Sequence, residues 1–463
     1  MPGGLQMRAR RADSAPGASS TTVALVLGLA MIGAYVSLAL IFIDRASFDV
    51  WGAVLLTPIL IGVSVPALRR QAIREADPGL FRLLLLALVV KLAGAIARYY
   101  VAFSLYGGVA DAVRYHTAGA ALAGSFRHLD FSAVHLIAGT PFTENLTGLV
   151  YALIGPSMLG GFVFFSWLGF WGLFLFYRAF TIAVPLGRRR SYAHLLFFLP
   201  SLVYWPSSIG KEAWMMFALG IATYGIARIL TGEMWRGLVF CAPGLWLAGM
   251  VRPHIAALFA VSLAAAAVTR KAKSELRELA PIVKGGSIVA IVILAGFLVV
   301  HTDRFLQKSG IDTSAGVTSA LTDIQSRTSE GGASFVPSIL NSPARAPLAA
   351  VTVLFRPFVF EAHNLQSLIA AMEGTALMGL CLIRYRWGWA ALRSLRQQPY
   401  VVFCLVFVIL FIVAYSSFAN FGLLTRERVQ LYPLFLVLFS IPPANATRSS
   451  PSRSRSAFEA VAV

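Results

Sequence analysis

Long runs without a charge constrain this chain most. Thr22–Ile43 is one, and the segments 157–177 and 399–417 are others. A span of a bilayer core needs about 20 predominantly apolar residues. In hydrocarbon every backbone N–H and C=O must find its partner inside the chain, so only helices and closed barrels cross it. A barrel reads as short alternating segments, and these runs do not alternate. The pattern therefore predicts an all-α, polytopic membrane protein. Composition agrees: of 463 residues, 58% are hydrophobic and 13% charged, and the mean hydropathy is +0.74. Soluble proteins hold about 45–50% apolar and about 25% charged residues. That excludes an ordinary cytosolic enzyme, a disordered protein and a coiled coil.

About twelve spans are expected, near 22–43, 50–67, 80–105, 157–183, 192–208, 212–230, 235–250, 252–269, 281–301, 364–383, 399–417 and 430–443. They form one transmembrane domain, 21–443. A polar tail rich in Gly, Ser and Arg precedes it (1–20), and a basic tail follows it (444–463). Both tails read as disordered. The first run is long for a signal-peptide core, and no small-residue cleavage site follows it. No internal repeat is visible.

The net charge is +19. In a soluble chain this would suggest nucleic acid. Here the basic residues gather between apolar runs, as membrane orientation requires, so no nucleic-acid partner is expected. With the N-terminus inside, 23 Lys and Arg fall on the cytoplasmic side and 12 on the other. Both termini are then cytoplasmic, and the expected location is the plasma (inner) membrane. Two long loops, about 106–156 and 302–363, face outward. They hold three amphipathic or re-entrant candidates, at 110–126, 146–154 and 347–355.

Polar clusters gather on that external side. The first is Asp111, Arg114, Tyr115 and His116. On a helix Asp111, Arg114 and Tyr115 share a face, and an acid suits the helix start. This reads as a capped interface helix or as a carboxylate facing a cleft. The second runs from Pro200 through Tyr204, Trp205, Pro206, Ser207, Ser208 and Gly210 to Lys211 and Glu212. It reads as a tight turn or as a phosphate or sugar contact. The others are Arg252 with His254, Arg356 with Glu361 and His363, and Arg426 with Glu427 and Arg428. Arginine forks match phosphate oxygens. Lys91 and Glu373 lie inside apolar spans, where an isolated charge is costly, and pairing with each other is the simplest expectation. Cys241, Cys381 and Cys404 show no metal spacing or disulfide framework. No GxxxxGK[ST], HExxH or GxSxG pattern occurs. No cofactor is implied, and a divalent metal has no ligand set to support it.

Asp111 with Tyr115 and His116, the string Leu199-Pro200-Ser201 through Trp205 to Gly210-Lys211-Glu212, Leu354-Phe355-Arg356-Pro357, and Arg426-Glu427-Arg428 resemble two related groups. These are the GT-C superfamily of membrane glycosyltransferases and the O-antigen-polymerase or EpsG-like polysaccharide polymerases. The resemblance implies sugar transfer from a polyprenyl-phosphate-linked donor to an envelope glycan or lipid acceptor on the external face, within membrane lipid. It implies Asp111 as the base for the acceptor hydroxyl, although Asp111 follows the third span where that superfamily has its acid after the first. It implies Arg356, Arg426 and Arg428 as holders of the donor phosphate. A transporter or flippase of lipid-linked sugars, or a non-catalytic scaffold, are the alternatives.

Overall fold

The computed structural model describes residues 47–269 (109, 133 and 135 apart), 317–329, 333–338 and 342–443, together with isolated helical positions in 33–37 and 285–300. Apart from those isolated positions, the expected spans 22–43 and 281–301 lie outside the described residues, as do both tails. Among the described residues the chain is helical, with one isolated bridge, Ser334 to Asn420, and no strand.

The helices in chain order are α1 Phe48–Arg74, α2 Pro78–Tyr100, α3 Asp111–Arg127, α4 Thr140–Ile154, α5 Met158–Ala183, α6 Arg189–Phe198, α7 Pro200–Tyr204, α8 Lys211–Thr231 and α9 Met234–Gly249. They continue with α10 Pro253–Thr269, α11 Val317–Thr328, α12 Ala346–Phe355, α13 Leu365–Ile383, α14 Tyr385–Ser394, α15 Pro399–Tyr415, α16 Phe421–Glu427 and α17 Tyr432–Leu438. A wider π-helical turn, Val101–Leu105, extends α2.

Among the described residues five helices are long and apolar enough to cross a membrane: α1, α2 with its extension, α5, α8 and α13. A sixth is reached if α14 and α15, bent by 117° against each other, are counted as one broken span. This is a multi-span membrane protein, but the expected twelve are not reached among the described residues. Segment 192–208 is not one span: Leu199 breaks it, because Pro200 has no N–H to continue the ladder. Segment 430–443 holds only the seven-residue α17, every residue of which is buried. It is a core plug, and its apolar run reflects burial in protein rather than in lipid. Segments 235–250 and 252–269 form helices of 16 and 17 residues.

The centre of the bundle is α5 packed on α8, with α9 beyond it. Glycine permits these close approaches. A Cβ on Gly172 would lie 2.3 Å from the Met216 carbonyl oxygen, and one on Gly220 would lie 2.4 Å from the Gly172 carbonyl oxygen. Close backbone packing through small residues is a general device of membrane helices. Around this centre, α1 and α13 leave most of their surface outward.

The helices expected in the two long loops form. Helix α3 covers 111–127, α4 covers 140–154 and α12 covers 346–355. Helices α3 and α4 pack on each other where Gly119 meets Thr147 and Gly148 meets Leu122 and Phe126.

Candidate functional site

The second polar cluster sits where α7 ends and α8 begins. Gly210 makes that turn at φ +155, with the Tyr115 ring and the Glu212 carboxylate close by. Glu212 thus enters the first turn of α8, where a negative charge meets unpaired N–H groups. Its carboxylate is buried and organises the site. Oε1 accepts from Arg426 Nε at 2.6 Å and from Arg252 Nη2 at 2.8 Å. Arg426 reaches on to Asp111, Nη1 to Oδ2 at 2.8 Å. Arg252 reaches on to Glu427, Nη2 to Oε1 at 2.5 Å. Gln430 donates to the other oxygen of Glu427 at 2.8 Å. Tyr415 OH lies 3.4 Å from Glu427 and 3.3 Å from His254 Nε2.

Carboxylates and guanidiniums therefore alternate from the surface inward: Asp111, Arg426, Glu212, Arg252, Glu427. Sharing each inner charge between two partners offsets part of the cost of removing it from water. Burial works against the Arg426 charge, but Glu212 and Asp111 outweigh it and hold the guanidinium above its ordinary pKa. Burial pushes the Glu427 carboxyl up, against the pull of Arg252. The Tyr115 hydroxyl is pushed up to about 12, first by burial and then by the Asp111 and Glu212 charges.

A polar cleft of about 210 Å³ opens over this chain of charges. Asp111, Arg98, Ser208, Glu212 and Arg426 line it. Asp111 is the exposed member, with 58% of its side chain accessible. Arg98 comes from α2, donates to Tyr204 OH at 2.9 Å and lies 4.7 Å above the Tyr204 ring and 4.6 Å above the Trp205 ring. On the far side of that stack lies an apolar groove of about 390 Å³. Gly94, Val101 and Leu105 of the α2 rod form one wall, Leu365 and Ile369 of α13 the other, with Tyr204 and Trp205 at the stack. A smaller pocket of about 60 Å³ takes Trp205, Glu361 and His363 into its lining.

The structure thus brings Asp111, Tyr115, Trp205, Lys211, Glu212, Arg252 and Arg426 into one region, with His254 behind it. Lys211 starts α8 next to Glu212. Other expected site residues face elsewhere. Arg114 is exposed and pairs with Glu144 of α4 at 2.8 Å. His116 turns to Tyr151 OH, 2.7 Å from Nδ1, and its burial lowers its pKa. Arg356 is held in a forked pair by Glu361, beside the stacked rings of Phe335 and Phe421. Burial pushes the Glu361 carboxyl up, but the Arg356 fork and the Phe358 N–H outweigh it and leave it below its ordinary value. Arg428 is fully buried and donates to the Arg356 carbonyl at 2.5 Å. It closes the C-terminal end of α12 and does not reach the cleft. Neither Arg356 nor Arg428 is placed as the phosphate holder that the resemblance implies.

Lys91 and Glu373 do not pair with each other. Lys91 Nζ donates to the Leu202 and Val203 carbonyls at 2.7 and 3.2 Å. Glu373 Oε2 accepts from Ser201 N at 2.5 Å. The carboxylate thus meets an unpaired N–H in the first turn of α7, and the ammonium meets carbonyls near its last turn. Both charges complement the dipole of this five-residue helix.

Arg98 belongs to the site but is absent from the sequence candidates, and Glu427 stands there only as the middle of the Arg426-Glu427-Arg428 string. Arg98 gave a signal, being a cation one turn from the end of a membrane helix and so a functional candidate by cost alone. Among the described residues no three or more His, Cys, Asp or Glu side chains cluster to hold a metal. Comparisons with protein-family models, with curated proteins and with solved structures find no match.

Proposed function

We propose that this chain is a membrane glycosyltransferase or polysaccharide polymerase. It takes a sugar from a polyprenyl-phosphate-linked donor and passes it to an envelope glycan or lipid acceptor on the external face of the plasma membrane. The observation that carries this reading is the pairing of an apolar groove with a charged cleft across one wall, the Arg98–Tyr204–Trp205 stack. A lipid-linked sugar has that same division: a tail that belongs in lipid, an anionic phosphate and a polar sugar. The tail lies between α2 and α13, Arg98 meets the phosphate, and the sugar enters the cleft over Asp111 and Arg426.

The chemistry then needs few groups. Asp111 takes the proton of the acceptor hydroxyl as its oxygen bonds to the anomeric carbon. The bond from that carbon to the phosphate oxygen breaks, and polyprenyl phosphate leaves with the electron pair. Arg98 and Arg426 stabilise the charge that develops on it. Trp205 offers an aromatic face beside the path. The broken helix at Leu199 favours a second reading, because transporters of membrane substrates use discontinuous helices near their sites.

The test is transfer by the purified protein in detergent, with short-chain polyprenyl-phosphate sugars as donors and an acceptor glycan. General-base assistance is worth about 10²–10⁴-fold, so Asp111→Asn is expected to lose that much rate while still binding donor. Arg98→Gln is expected to weaken donor binding. Transfer by the Asn variant at the wild-type rate removes Asp111 from the mechanism. Movement of the donor across vesicle bilayers by wild-type protein that transfers no sugar establishes the transporter instead.

A further inference from the structure

At the end of the bundle opposite the cleft, α14 turns away from α15 by 117°. One face of α14 is packed: Ala391 is buried and Gly388 lies against the Phe439 ring. Arg384, just before the helix, donates to Ser191 Oγ and to the Phe439 carbonyl at 2.8 and 3.2 Å. The other face shows Tyr385, Trp389 and Leu392 at i, i+4 and i+7, exposed by 62%, 56% and 42%. This apolar stripe continues the outward surface of α13, where Leu382 and Ile383 are also exposed.

Arginines flank the stripe. Arg386 lies 5.7 Å above the Tyr385 ring and Arg393 lies 5.5 Å above the Trp389 ring. Arg396 follows, exposed. The chain holds no acidic residue between Glu373 and Glu427. The acids that approach this end from α1 and the α1–α2 turn are engaged: Glu75 with Arg189, and Asp77 with Arg190. The countercharge for Arg386, Arg393 and Arg396 therefore comes from outside this stretch.

We propose that α14 lies in the lipid headgroup layer and binds anionic phospholipid. The stripe of Tyr385, Trp389 and Leu392 enters the acyl boundary, and the three arginines meet lipid phosphates above it. A helix of mixed aromatic and basic character lying flat at the interface is held by these two forces together. Continuity with the membrane-facing surface of α13 favours lipid over a protein partner. The inference is independent of what the cleft transfers.

The test uses the full chain in detergent, with phosphatidylglycerol and phosphatidylcholine added separately, and reads thermal stability and lipid retained in native mass spectrometry. Phosphatidylglycerol is expected to raise Tm more and to be retained. High salt is expected to erode the preference, because the Debye length falls from about 8 Å at physiological salt to about 3 Å at 1 M. One arginine near an anionic surface is worth on the order of a fivefold preference. The variant R386Q/R393Q/R396Q is therefore expected to lose at least about tenfold in anionic-lipid retention, whereas R386K/R393K/R396K keeps most of it. Equal stabilisation of the wild type by both lipids overturns the proposal. So does unchanged retention in the Gln variant, or a co-purifying protein that W389A releases while lipid stays bound.

Discussion

Lys91 and Glu373 show how far single residues can be read without coordinates. Their presence in apolar runs demands partners, and each finds one, although among the described residues Glu373 Oε1 is left without. The sequence suggests a mutual pair as the simplest way to supply both. The actual partners are backbone groups at the two ends of α7: an N–H at its start, next to Pro200, and carbonyls at its end, where Pro206 has no N–H to offer Leu202. Such groups carry no letter in a sequence, and only the fold says which carbonyls are left open. Two predictions separate the arrangements. If the residues paired, Lys91→Met and Glu373→Gln would each destabilise, and the double variant would recover part of the loss. In this structure each removal leaves different groups of α7 unsatisfied, at a cost of about 1–3 kcal/mol per orphaned buried group. The expected result is a lower Tm for each single variant and a summed loss for the double, measured in one detergent. Arg426 and Glu212 were legible in another way: both lie in charged strings at helix ends, and their meeting joins strings 214 positions apart.

At the scale of helices, hydropathy identified apolar segments correctly and misread what some of them are for. Helix α17 is as apolar as a span, yet it is short and wholly enclosed. Apolarity records removal from water, and a protein interior removes water as lipid does. The glycines make a sharper statement. On α8, Gly220 lies against Gly172 of α5, and an added Cβ would meet backbone atoms that no side-chain rotation can clear. Gly220→Ala is therefore expected to push α8 off α5 and lower thermal stability. Gly220→Leu should fail to fold or elute as aggregate in size-exclusion chromatography. Gly379 of α13 has open space at its Cβ position, so Gly379→Ala is the matched control. It should leave stability unchanged or slightly raised, because alanine favours a helix by roughly 1 kcal/mol over glycine.

Across the whole molecule, the charges sort by end of the bundle. Asp111, Glu212, Arg252, Arg426 and Glu427 gather where α2 ends and α8 begins. Arg74, Arg190, Arg236, Arg386 and Arg393 gather where α1, α6, α9 and α14 start or finish at the other end. The second group is the one that orientation rules assign to the cytoplasm, so the cleft should face outward. Labelling decides this directly. Cys241 and Cys404 are buried, and Cys381 is partly accessible, so Cys381→Ser supplies a quiet background. On it, Asp130→Cys places a thiol in the exposed turn after α3, and Arg393→Cys places one on the exposed face of α14. A membrane-impermeant maleimide applied to intact cells is expected to label Asp130→Cys at once and Arg393→Cys only after permeabilisation. The reverse pattern would turn the cleft toward the cytoplasm and remove an externally delivered acceptor from the mechanism. Labelling of both from outside would mean that α13 and its neighbours do not cross the bilayer, and the groove between α2 and α13 would lose its claim to a lipid tail.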